Sequence, residues 1–160
     1  MRKSLIVAIV GFGLLTAACT IDVEPNPDGS LTVESVIDES RLAEAIETNA
    51  KPNESLEIDF HAGYIAIEGS GPDEDTGRVN DVSFKATLGV EDGHLSADLY
   101  DAFWNGEPMP SWIVEFWNET LARQLEREGQ KDPDSTLQSV DVSESDVTLV
   151  WRVETDASKS

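Results

Sequence analysis

Two histidines are the residues best suited to move a proton near neutral pH, and neither stands in a spacing that such chemistry needs. His61 closes one run of alternating residues and His94 opens another just after Asp92-Gly93, so both are expected at exposed hairpin ends. No HxxxH or HExxH spacing occurs, and no Gly-x-Ser-x-Gly supplies a nucleophile. The loop Gly71-Pro72-Asp73-Glu74-Asp75-Thr76-Gly77 sets out acids as hard cations prefer, but the further ligands of an EF-hand do not follow. A solvated hairpin loop is the expectation there. Among 32 Asp and Glu residues, any pair chosen for glycoside chemistry would be arbitrary. The sequence therefore designates no catalytic residue, no metal site and no cofactor, and the expected function is non-enzymatic.

Aromatic residues carry more information. Phe103, Trp104, Met109 and Trp112 crowd around the Pro-broken loop Asn105-Gly106-Glu107-Pro108, and Phe116 and Trp117 follow one turn later. Burying one large apolar side chain is worth ~1.5–3 kcal/mol, so such a group is expected either to plug a core or to be covered by a ligand or partner. Trp104, Trp112, Phe116 and Trp117 are the expected ligand-binding residues, lining an apolar site between helix and sheet.

The elements that must hold them are readable from periodicity. Leu31 to Ile37 reads as a strand, and Asp38 can cap a short helix that Pro52 prevents from extending. Leu56, Ile58 and Phe60 alternate before the Ala62-Gly63 turn and a second run from Tyr64 to Glu68. Val82 to Val90 and Leu95 to Leu99 alternate on either side of Asp92-Gly93, the firmest hairpin signal in the chain. Val140-Asp-Val142 and Val147 to Val153 form a third hairpin across Ser143 to Asp146. The segment from Pro110 to about Glu128 is a helix with an apolar arc wider than a flat sheet can cover. The expected fold is α+β: a curved antiparallel sheet of about six to seven strands packed around one long aromatic-rich helix, plus one short helix.

A chain of 160 residues and 17.5 kDa supports one core, and 39% hydrophobic residues supply it. Eleven Lys and Arg against 32 Asp and Glu give a formal charge of −21 and a pI near 4.1, which excludes nucleic acid as a partner. The boundaries read as a signal peptide over 1–18, a lipidated N-terminus and linker over 19–30, one domain over 31–153 and a flexible tail over 154–160.

Arg2 and Lys3 precede an apolar run from Leu5 to Leu15, too short to span a bilayer. The tract Leu15-Thr16-Ala17-Ala18-Cys19 resembles the bacterial lipobox, with Thr16 where that motif most often has Leu. Cys19 is the only cysteine in the chain and stands where the motif is acylated. The resemblance implies acyl chains such as palmitate on Cys19 and a protein tethered to the cell membrane on its extracytoplasmic side.

Within the domain, the order of Ile58-Asp-Phe-His-Ala-Gly-Tyr-Ile65, Leu88-Gly-Val-Glu-Asp-Gly-His-Leu95, Trp117-Asn-Glu-Thr-Leu-Ala122 and Leu137-Gln-Ser-Val-Asp-Val142 resembles small bacterial envelope domains related to the LmeA-like phospholipid-binding family. The resemblance covers about residues 31 to 153 and carries over no individual site residue. It implies an acyl chain or similar apolar ligand held between sheet and helix, with no bond made or broken. The alternative is a cell-envelope module that binds another protein through the same aromatic patch or a sheet edge.

Overall fold

The computed structural model describes residues 19–49 and 51–159, so the expected signal peptide lies outside the described residues. Among the described residues the order is β1 (Cys19–Pro25), β2 (Leu31–Asp38), α1 (Glu39–Asn49), β3 (Ser55–His61), β4 (Tyr64–Pro72), β5 (Val79–Glu91), β6 (His94–Trp104), β7 (Glu107–Pro108), α2 (Ser111–Gln130), β8 (Ser135–Val142) and β9 (Asp146–Val153). The class is mixed α+β. The strands form two antiparallel sheets, ordered β1-β2-β9-β8 and β3-β4-β5-β6-β7.

This corrects the expectation of one curved sheet of six to seven strands. The reason lies at β8, whose Leu137 N–H donates to the carbonyl of Gly93 at 2.7 Å and whose Val142 carbonyl accepts from Gly63 N–H at 2.9 Å. The β5–β6 and β3–β4 turns thus end against the edge of the four-stranded sheet, and backbone bonded to a turn is not free to continue a ladder. One core spans both sheets. Ile37, Leu137, Val142, Val147 and Leu149 join Phe60, Ile65, Ile67, Val82, Phe84, Ala86, Leu99 and Trp117 in a single buried cluster.

The β5–β6 hairpin shows how local chemistry sets this register. Asp92 and Gly93 have φ of 51° and 76°, the two positive values that a two-residue turn needs to match strand twist. Farther along, Ser83 pairs with Phe103 but Lys85 pairs with Tyr100, so Asp101 and Ala102 stand opposite Phe84. Asp101 sits at φ 49° in this bulge, which moves the alternation on by one and sends Ala102 into the core.

Helix α2 covers the open edge of β6. The Asn118 side-chain amide accepts from Leu99 N–H at 2.7 Å and donates to the Leu99 carbonyl at 3.0 Å, replacing the neighbour strand that β6 lacks there. On the other side of the sheet order, Glu39 from the first turn of α1 accepts the Phe60 N–H of β3 at 2.6 Å. Asp38 caps α1 as the sequence suggests, its Oδ1 accepting from Ser40 N–H at 3.0 Å and from Arg41 N–H at 3.4 Å.

Both chain ends of the domain are more ordered than their composition indicates. Residues 19–25, read from sequence as linker, form β1 and pair with β2 from Cys19 opposite Ile37 to Pro25 opposite Leu31. Residues 154–159, read as a flexible tail, fold back onto the 26–30 turn. Thr155 Oγ1 donates to the Gly29 carbonyl at 2.5 Å, and Arg152 bonds both Asp28 and Glu154 at 2.6 Å. Fully buried Ser30 donates to Asp28 Oδ1 at 2.6 Å. Apolar periodicity carries no sign of either contact, because a backbone ladder holds β1 and hydroxyl, carboxylate and guanidinium groups hold the C-terminal corner.

That corner has a pH signature. The Ser30 hydroxyl, then Arg152, hold the Asp28 carboxyl well below the usual carboxylate range. A depressed folded-state pKa contributes stability that is present above the unfolded value of about 4 and is lost as pH falls through it toward the folded value. Asp28→Asn is therefore expected to melt below wild type at pH 7. The gap should narrow progressively as pH falls below about 4, read from paired thermal melts, and a pH-independent gap would contradict the assignment.

Candidate functional site

Of the four residues expected to bind ligand, the structure buries one and leaves three exposed. Trp117 is buried and meets Phe84 edge to face at 6.2 Å between ring centroids, so it anchors α2 to the sheet. Trp112 and Phe116 remain 63% and 54% exposed, on the face of α2 turned from the sheet. Trp104 stands partly exposed at the far end of β6. Of these four, only Trp117 is held between helix and sheet.

A pocket with a largely apolar lining opens at the opposite end of α2. It measures about 220 Å³ and lies between the last turns of the helix, the start of β6 and the strands β8 and β9. Leu95, Leu125 and Trp151 form its apolar wall, and Glu128, Asp132 and Ser135 stand around it. The carboxylates have their own partners: Glu128 Oε1 meets Lys131 Nζ at 2.6 Å, and Asp132 Oδ2 accepts from Ser135 Oγ at 2.8 Å. The space equals the liquid share of about seven waters at ~30 Å³ each. A ring or the end of one chain fits; a whole phospholipid does not.

His94 and Gly129 shape this pocket. A Cβ on Gly129 would stand 2.4 Å from His94 Nδ1, so the imidazole occupies the space that any other residue's side chain would fill. The glycine does not serve as a positive-φ helix stop, since α2 runs on to Gln130 with Lys131 in the right-handed region. His94 Nδ1 is buried with no hydrogen-bond partner in the protein. Leaving a buried polar atom unpaired costs roughly 1–3 kcal/mol, a local penalty of the kind that functional regions carry.

His61 belongs to a different surface. It stacks on Tyr64 at 4.6 Å and 9° and bonds Asp59 at 2.9 Å, while Lys85 Nζ lies 5.5 Å from the Tyr64 ring centroid and 3.1 Å from Asp101. Beside this cluster an open groove of about 340 Å³ runs over the outer face of the five-stranded sheet. Though larger than the pocket by α2, it is lined by Ser55, Glu57, Glu68, Ser70, Asp81 and Ser83 with one aromatic, Phe103. Glu57 and Glu68 face each other across β3 and β4, a repulsive pair in direct register. Its chemistry suits a solvated face better than an apolar ligand.

The acidic loop also has an internal use. Asp73 Oδ1 accepts from the backbone N–H groups of Asp75 and Thr76 at 3.0 Å each, which shapes the β4–β5 turn. Among the described residues no group of three or more His, Cys, Asp and Glu side chains is arranged to hold a metal ion.

The sequence contains Leu125 and Trp151 as core-facing positions, but nothing in it shows that they meet. Their pocket forms where two sheets and a helix end come together, across 56 positions from Leu95 to Trp151. A scan against protein-family models finds no match to this chain, and a search of curated proteins finds none either.

Proposed function

We propose that this chain is a lipoprotein of the bacterial cell envelope, anchored through acylated Cys19, whose domain binds a small apolar ligand without chemical conversion. The observation that carries the ligand reading is the pocket walled by Leu95, Leu125 and Trp151 between α2 and the sheets. Its volume limits the ligand, or the inserted part of one, to a ring or a short chain end. The lipobox-like tract before Cys19 supports the anchor, as does that residue's standing as the only cysteine. Among the described residues no helix is long and apolar enough to cross a membrane.

The test of the pocket is a titration of the folded domain with toluene and with hexan-1-ol, followed by backbone and indole NMR. Saturable shifts are expected at Leu95, Leu125 and Trp151. Ser135→Phe, which places bulk at the pocket without touching the central core, should weaken them at least tenfold. Shifts that persist in that variant, or that centre on Trp112, would reject the site. Intact mass spectrometry of chain purified from membranes reads the anchor: acyl mass on a mature N-terminus at Cys19 supports it, and an unmodified Cys19 removes it.

A second reading, a module that binds another envelope protein, is favoured by a separate observation, the exposed Trp112 and Phe116. The two readings use opposite ends of α2 and can hold together.

A further inference from the structure

Resting on the reading of Cys19 as the lipidated residue, we propose that Trp112 and Phe116 form a docking surface for an envelope protein with an apolar groove rimmed by Lys or Arg, presented at the end of the molecule remote from the anchor. The two side chains lie one helical turn apart on the same face, 63% and 54% exposed, the spacing by which a groove reads an amphipathic helix.

Charge selects the occupant. Exposed Glu115 and Glu119 flank the stripe on one side of the helix, Arg123 follows two turns beyond Phe116 with its guanidinium on Thr120 Oγ1, and the sequence has no Lys or Arg between Lys85 and Arg123. A second copy would bring the same acids into contact, and an anionic bilayer would repel them, whereas a basic rim pairs with them while the aromatic rings enter the groove.

Position points the same way. Cys19, Ile37, Val147 and Val142 form one row across the four-stranded sheet, and the β3–β4 turn meets β8 in that row through Gly63. The β5–β6 turn meets β8 at Leu137, roughly 16 Å farther along at ~3.3 Å per residue. Helix α2 lies beyond β6, past the open strand edge that Asn118 closes. Cys19 is on the outermost strand of the four-stranded sheet, whereas Trp112 and Phe116 stand in the first turns of α2, the end opposite to the one that reaches β8 and β9. A lipid on Cys19 therefore leaves the aromatic stripe free for a partner that is not the bilayer.

The test uses the full lipidated chain in intact producing cells, with photoreactive p-benzoylphenylalanine at position 112 in one sample and at exposed position 20 in another. Crosslinking from position 112 is expected to yield one discrete protein adduct. Glu115→Lys together with Glu119→Lys should reduce its yield at least fivefold, with an unchanged circular dichroism spectrum and melt. Crosslinking from position 20 is expected to yield lipid adducts. Lipid adducts from position 112, an adduct of twice the chain's own mass, an adduct insensitive to the charge reversal, or no adduct would each overturn the docking surface. Absence of lipid at position 20, with the charge-sensitive protein adduct retained at position 112, would overturn the anchored reading alone.

Discussion

Trp117→Ala is expected to cost about 3–5 kcal/mol of stability, the range for emptying a buried aromatic site. For a domain of this size that lowers the melting temperature by roughly 10 °C. The loss is large because Trp117 is buried against Phe84 and holds the middle of α2 on the five-stranded sheet. Trp112→Ala, five residues earlier on the same helix, should change stability by no more than about 0.5 kcal/mol, since that side chain is 63% exposed. Paired urea titrations of the two variants measure the contrast. Equal losses would mean that Trp112 is covered in the folded protein, and the docking surface would go with it.

Gly129→Ala carries the second large effect, and its sign is the informative part. In an unencumbered helix the exchange stabilises by about 1 kcal/mol, because alanine loses less backbone freedom than glycine. Here the new methyl would meet His94 Nδ1 at 2.4 Å, so either the imidazole or the last turns of α2 must move. Overpacking of this kind costs about 1–3 kcal/mol, and destabilisation is the expected result. Removing the obstacle reverses it: in a His94→Ala background, Gly129→Ala should recover the stabilising sign. The double-mutant cycle in urea gives the coupling directly. Because His94 also lines the pocket, displacing its ring should weaken toluene binding. A stabilising Gly129→Ala in the unaltered chain would show that the imidazole does not pack on the helix.

The hairpins could be read from the chain because their causes are local. Asp92-Gly93 supplies two positive φ values in sequence, and the alternation of Val82, Phe84, Ala86 and Leu88 is a property of neighbours along one strand. The cap at Asp38 is local in the same sense, with its partners two and three residues away. The two ends of the described chain lack such local causes. Residues 20–25 of β1 have exposed side chains and become strand only because β2 offers a ladder, and the 154–159 segment is held by the bond from Thr155 Oγ1 to the Gly29 carbonyl, across more than a hundred residues.

The same division separates the aromatic residues. Composition marked Trp104, Trp112, Phe116 and Trp117 as one group, because all lie near one another in the chain and all are costly to leave in water. Helix rotation then sorted them: Trp117 faces Phe84, while Trp112 and Phe116 face outward. A broad apolar arc on a helix states that more than one face needs cover, without stating which neighbour supplies it.

Acidic charge, antiparallel hairpins and the helix that carries Trp112 to Trp117 are legible in the sequence, since charge, turn chemistry and side-chain period act over a few residues. Tertiary structure alone decided that the strands divide into two sheets, that Gly129 makes room for His94, and that the apolar pocket lies among Leu95, Leu125 and Trp151. Those outcomes depend on which distant surfaces meet, and excluded volume between groups far apart in the chain has no period to read.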